Sequence, residues 1–176
     1  MKNMKKNTGK SKYKMVLPNR KANRLKNFDY STDGYYFITI CTVNRENLFS
    51  EIVGQGLAPA EIKLTKIGKI AENQLFDLKK RYDNMQIEKY VIMPNHIHLI
   101  IAIKSTAGAS PCPTVSDIIC AYKSLTTREC RNFYNGIIWQ KSFYDHIIRD
   151  ENDYLRIWEY IENNPLKWSE DKYYIE

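Results

Sequence analysis

The stretch MQIEKYVIMPNHIHLIIAI, Met85 to Ile103, reads as two β-strands turned on each other at Pro94-Asn95. β-Branched and aromatic residues fill both halves, and the Pro-Asn pair between them favours a turn. With a side-chain period of two, His96, His98, Ile100 and Ala102 share one face of the second strand; Ile97, Leu99, Ile101 and Ile103 share the other. The second set is pure core. The first opens with two of the chain's three histidines, about 7 Å apart along the strand. Two neutral imidazoles converging on one point suit a divalent metal. With no cysteine or third histidine nearby they leave coordination positions open, as catalytic sites do and closed structural sites do not. The plainer alternative is a pair of hydrogen-bonded histidines buried in a sheet.

Outward from this hairpin the pattern continues to alternate. GYYFITICTV, from Gly34, has the β-branched and aromatic content of a first strand. A turn-rich stretch with Gly54, Gly56 and Pro59 precedes a short second strand at Ile62 to Leu64. From Thr65, Ile67, Ile70, Ala71, Leu75 and Leu78 recur at helical spacing. Lys104 to Thr114 reads as a surface loop, followed by a helix with Val115, Ile118, Ile119, Tyr122 and Leu125 on one face and Thr114 or Ser116 as its cap. WQKSFYDHIIRD, Trp139 to Asp150, reads as another strand. The last helix starts near Asp150, where acids suit the N-terminal dipole, and stops before Pro165. This order predicts an α+β fold, a ferredoxin-like antiparallel sheet with helices packed mainly on one face.

A chain of 176 residues, 43% hydrophobic and 27% charged, has the size and composition of one globular domain. Met1 to Lys26 holds ten Lys or Arg and no acid, whereas the rest carries 17 basic and 20 acidic residues. The formal +7 is therefore a +10 arm on a −3 body. Residues 1–26 are expected to form a basic, flexible N-terminal arm, and 27–176 a single catalytic domain. Such an arm suits nucleic acid, because each phosphate contact releases condensed counterions; a solubilising tail has the same composition. Cys41, Cys112, Cys120 and Cys130 form no CxxC pair, which fits free thiols in a reducing cytoplasm. The apolar run around Val91 to Ile103 is too short, and too interrupted, to span a bilayer. The basic N-terminus has no apolar segment of the kind a secretory signal carries.

In the last helix Tyr160 and Asn164 are four residues apart and stack on one face. A phenol and an amide there suit, respectively, a nucleophile and a third metal ligand. The chain has 13 tyrosines, however, and most helical aromatics are core, so spacing alone leaves both roles open for Tyr160.

PNHIH followed by WQKSFYDHIIRD and YIENNP resembles the single-tyrosine HUH transposases, and within them the REP-associated tyrosine transposases. The resemblance runs from RLKNFDYSTDGYYFITICTVNRENLF to NNPLKW and includes the 62-residue separation of His98 and Tyr160. It implies metal ligation by His96, His98 and Asn164, with Mg²⁺ or Mn²⁺ as cofactor, and Tyr160 as nucleophile. The implied substrate is single-stranded DNA with a hairpin or palindromic repeat, cut and rejoined through a 5′-phosphotyrosine. Relatives act as monomers or homodimers, so both states are open. No membrane partner is implied.

Tyr144 is the rival nucleophile. His146 reads as structural or substrate-adjacent, and Asn95 as a turn residue. Trp139, Gln140 and Lys141 fit either core or DNA contact. Two other readings compete: a non-catalytic single-stranded nucleic-acid binder using Tyr35, Tyr36 and Phe37, and a phosphodiesterase that activates water and dispenses with Tyr160.

Overall fold

A computed structural model describes residues 29–54, 60–104 and 113–175. The expected basic arm, most of the 104–114 loop and Cys112 lie outside them. Four antiparallel strands form the main sheet: β1 (Gly34–Cys41), β4 (Met85–Ile92), β5 (His96–Ile103) and β6 (Tyr144–Ile148), in the order β4-β5-β1-β6. A two-stranded sheet pairs β2 (Ser50–Val53) with β3 (Glu61–Leu64). The helices are α1 (Lys66–Arg81), α2 (Val115–Cys130) and α3 (Glu151–Asn163). This is the expected α+β architecture.

The period of two divides the main sheet as the sequence indicates. Tyr36, Ile38 and Ile40 of β1 join Ile97, Leu99, Ile101 and Ile103 of β5 in one apolar cluster beneath α1 and α2. The helical stripe beginning at Ile67 and the one beginning at Val115 fill that cluster from above. The opposite face carries a smaller cluster in which Phe37, Val91, Met93 and Ile100 meet Ile157 and Ile161 of α3. Two helices thus cover one face, and the third lies on the face of the histidines.

Local chemistry sets the helix ends. The Thr65 hydroxyl accepts from the Gly68 amide and caps α1. Thr114, not Ser116, caps α2, with Asp117 reaching back to the Thr114 amide. Asp150 caps α3 by accepting from the Asp153 amide. Gly68 is required where α1 crosses the chain: an added Cβ there would lie 1.9 Å from the Phe49 carbonyl oxygen.

Three features depart from the sequence reading. β2 is an additional strand, tied to the main sheet by the Ser50 hydroxyl donating to the Ile92 carbonyl at 2.9 Å. The strand expected over 139–150 is confined to Tyr144–Ile148. Trp139 instead turns into the core against Phe49 and Tyr122, its indole N–H donating to the Lys123 carbonyl. The half-buried ammonium of Lys123, its pKa lowered to about 8 by desolvation, then donates to the Gln140 and Ser142 carbonyls at 2.9 and 2.8 Å. Past Asn164 the chain makes a short 3-10 turn, Trp168–Glu170, and folds back over β5. Trp168 packs among Phe37, Met93 and Ile161.

Candidate metal and nucleophile site

The hairpin turn delivers both histidines to the α3 side of the sheet, where each is fully buried and their ring centroids lie 4.4 Å apart. Each ring is held by a hydrogen bond at Nδ1, and the one to Asn95 sets the His96 tautomer. Asn95 Nδ2 donates to the Arg45 and Tyr173 carbonyls, at 3.1 and 2.8 Å, so its Oδ1 is the atom that faces His96 Nδ1 at 2.9 Å. His96 therefore carries its proton on Nδ1. His98 Nδ1 lies 2.9 Å from the Thr39 hydroxyl, its antiparallel partner in β1. With the proton there, Nε2 of each ring presents a lone pair, the arrangement metal-binding histidines use. Asn95 is thus more than a turn residue. Asn44 and Arg45 support it in left-handed conformations, φ 50° and 60°, that bring the Arg45 carbonyl to its amide.

Burial holds both imidazoles neutral. It lowers the His96 pKa to about 4, against the raising effect of the Asp171 carboxylate. It takes His98 well below the usual histidine range, helped by neighbouring His96 and Lys172.

α3 brings the phenol to this pair. Tyr160 Oη lies 3.1 Å from His98 Nε2 and 3.3 Å from Asp171 Oδ2, and the residue is 38% exposed, so a substrate can reach it. Burial, and then the Asp171 charge, raise its pKa further above that of an ordinary phenol. Asn164 stands one turn on, as its spacing indicates, with Nδ2 donating to Asp171 Oδ2 at 2.8 Å.

Asp171 is the residue the sequence reading missed. Nothing in its spacing marks it, because the folded-back C-terminal segment carries it to the site. Tyr173 N donates to its Oδ1 at 2.7 Å, and Arg45 Nη1 donates to the Lys172 carbonyl at 2.9 Å. The Tyr173 ring covers His96 at 4.5 Å, and burial pushes its phenol up to about 12.

Ligand atoms of His96, His98 and Asp171 all lie within 4.8 Å of one another. Two polar atoms at this spot, His96 Nε2 and Asn164 Oδ1, are buried with no hydrogen-bond partner among the described residues. Such orphans are costly in a sheet core, and both are ligand atoms. Two imidazoles, an amide oxygen and a carboxylate make a mixed nitrogen–oxygen set that fits a divalent cation. Of the other sequence candidates, His146 stays apart from the pair and binds Asp153 at 2.7 Å. Tyr144 has no hydrogen bond to either imidazole among the described residues. Tyr36 and Phe37 are buried, so of the three first-strand aromatics only Tyr35 is exposed.

A family model described as IS200-like transposase matches residues 30–164. An uncharacterised Haemophilus influenzae protein is 34% identical over 183 residues, covering 94% of this chain and 99% of its own length. A second H. influenzae protein, provisionally named a REP-associated tyrosine transposase, is 29% identical over 83 residues, 43% of this chain and 47% of that one. The solved structure of a REP-associated tyrosine transposase bound to a REP hairpin has the same fold. Its TM-score is 0.62 at 23% identity, with 85% of this chain and 76% of that one covered.

Proposed function

The chain belongs to the IS200-like transposase family, and from that premise we propose that it cuts and rejoins single-stranded DNA at hairpin-forming repeats through a covalent bond to Tyr160. One observation carries the reading: the only described tyrosine hydroxyl in hydrogen-bond contact with an HUH histidine is that of Tyr160. Its helix also brings Asn164, and through it Asp171, to the same point. Membership makes the chain a DNA transposase; the chemistry assigned here to single residues is our own reading.

His96, His98 and Asn164 would hold the metal, Mg²⁺ or Mn²⁺, with the Asp171 carboxylate beside it. When bound, it would favour the phenolate over the phenol and neutralise charge on the scissile phosphate. Tyr160 Oη attacks the phosphorus, its bond to the 3′ oxygen breaks, and a 5′-phosphotyrosine and a 3′-hydroxyl result. Asp171 Oδ2 takes the phenolic proton, since the Nε2 atoms serve as ligands. The departing 3′ oxygen takes a proton from solvent water, giving the 3′-hydroxyl. Reversal rejoins the strand without ATP, because the phosphotyrosine conserves the bond energy. Tyr160 and the histidines meet within a single chain, which supports action by a monomer in cis. Residues 1–26 would add sequence-independent phosphate contacts. The free thiols of Cys41, Cys120 and Cys130 fit the cytoplasm as the place of action. No helix among the described residues is long and apolar enough to cross a membrane.

The test is a denaturing gel with an end-labelled, hairpin-bearing single-stranded oligonucleotide and either metal. Wild type should give a cut product and a protein-linked band whose DNA-bearing peptide contains Tyr160. Tyr160→Phe should give neither, while keeping the fold and the DNA affinity. An adduct persisting in that variant, or mapped to Tyr144, would overturn the assignment. Cleavage with no adduct would favour water as the nucleophile, and binding without cleavage a non-catalytic DNA-binding protein.

A further inference from the structure

α3 crosses the same sheet face, its Asp153 bound to His146 of β6 and its Tyr160 ring 6.1 Å from Phe37 of β1. Two aromatic rings of β1 and β6 stay partly exposed beside the helix: Tyr35 at 42%, packed edge-on against Tyr154 of α3 at 5.3 Å, and Tyr144 at 48%. Tyr144 closes a cross-strand row that runs Val91, His98, Thr39, Tyr144. Its backbone is thus two strand spacings, about 10 Å, from His98. Phe37 lies between the two tyrosines, 6.4 Å from the Tyr144 ring and 6.1 Å from that of Tyr160. The Tyr144 hydroxyl has no hydrogen bond among the described residues, so neither core packing nor a polar tether accounts for the ring.

A cation is held above it. The Lys172 ammonium lies 5.8 Å from the Tyr144 ring centroid and 4.8 Å from that of Tyr173. Lys172 is fixed there by its backbone, through the Arg45 bond to its carbonyl and the Asp171 bond to Tyr173 on its far side. An exposed ring with a positive charge above it complements a nucleotide, whose base has a π-face and whose phosphate is an anion.

We infer that Tyr144 and Lys172 form a nucleotide subsite beside the nucleophile, the Tyr144 ring stacking the base next to the scissile phosphate and the Lys172 ammonium pairing with that nucleotide's phosphate. The tyrosine that rivals Tyr160 in the sequence thereby has a binding role. This rests on the proposed attack by Tyr160, which fixes where the scissile phosphate lies. Lys172 lies beyond residues 30–164, the family match, so this half of the subsite belongs to the C-terminal segment.

The experiment uses full-length Tyr160→Phe protein in EDTA, where no cleavage competes, and a fluorescent twelve-residue oligothymidylate. Adding Tyr144→Ala should weaken binding about tenfold, the effect of losing one stacked base. Tyr144→Phe and Tyr144→Trp should retain it. Lys172→Ala should weaken binding and reduce the slope of log K against log salt by about 0.7, one single-strand phosphate contact. The same oligonucleotide carrying 5-iododeoxyuridine should photocrosslink to Tyr144. An unchanged affinity in Tyr144→Ala, or crosslinks at other residues and none at Tyr144, would overturn the subsite. A wild-type chain that forms no adduct, yet shows these binding effects, would overturn the proposed chemistry and leave the subsite standing.

Discussion

Leu99 and His98 are neighbours in β5, both fully buried, and they face opposite sides of the sheet. On the Leu99 side every neighbour in the cluster is apolar or aromatic, and burial needs no partner. On the His98 side the same degree of burial encloses two imidazoles, a hydroxyl, an amide and a carboxylate, and leaves His96 Nε2 and Asn164 Oδ1 unpaired. Burying a polar atom without a partner costs about 1–3 kcal/mol. One face of the sheet therefore supplies stability, and the other gives up part of it where the proposed site lies.

The largest contrast comes from truncating these two neighbours. Leu99→Ala should cost about 3 kcal/mol through lost burial and a cavity, while each molecule still folded cleaves at the wild-type rate. His98→Ala should abolish cleavage and remove less stability. Urea unfolding and single-turnover cleavage measured on both variants give the comparison. If His98→Ala proved the more destabilising, or Leu99→Ala altered the chemistry of folded molecules, the division of labour between the faces would be wrong.

Mild acid should act chiefly on the histidine face. An unfolded histidine binds its proton near pH 6.5, whereas folded His96 does so only near pH 4. Between those values the unfolded chain holds more protons, so stability falls as the pH drops. The loss from His96 amounts to about 3 kcal/mol, and His98 shifts in the same direction. Urea midpoints from pH 7 to 4 report it. His96→Gln should flatten the curve, and an unflattened curve would assign the acid sensitivity to other groups.

A cation should relieve the same face. Mn²⁺ at about a hundred times its dissociation constant should stabilise the fold by about 2.7 kcal/mol. EDTA should reverse this, and His96→Ala should remove it. A shift of equal size in His96→Ala would mean that the cation binds elsewhere.

Much of this division is legible in the sequence. The alternation of Ile97, Leu99 and Ile101 with His96 and His98 follows from period two. The stripes of α1 and α2, and the caps at Thr65, Thr114 and Asp150, are local chemistry. The 62-residue spacing to Tyr160 is also written there, although that α3 lies across the sheet from α1 and α2 is not. Asp171 and Lys172 are the main omissions. Their segment has no period and no motif, and it is placed by Trp168, Tyr173 and Arg45, contacts distant in sequence. β2 escapes for a similar reason: SEIV is short, runs into a turn-rich stretch and depends on pairing with β3. Trp139 shows the converse, a residue with strand propensity that the core takes instead.

The smallest effect asked of this contrast is at Thr39, where the functional face is tuned one atom at a time. Its hydroxyl lies 2.9 Å from His98 Nδ1 and, as acceptor there, would keep the proton on Nδ1 and the Nε2 lone pair toward Tyr160 and the proposed ligand set. Valine has the same shape and lacks that oxygen. Thr39→Val leaves a buried N–H without a partner and frees the ring to exchange tautomers, at a cost of about 1 kcal/mol in stability. It should also weaken metal affinity, and slow cleavage at subsaturating metal, by about tenfold, the usual effect of losing a ligand's supporting hydrogen bond. Thr39→Ser, which keeps the acceptor, should restore both. Saturating metal should recover most of the rate in Thr39→Val, because the nucleophile is untouched. Metal titrations of cleavage on the three proteins separate the outcomes. A Thr39→Val curve superimposed on wild type would mean that burial by α3 and Tyr173, rather than the Thr39 hydroxyl, fixes the His98 ring.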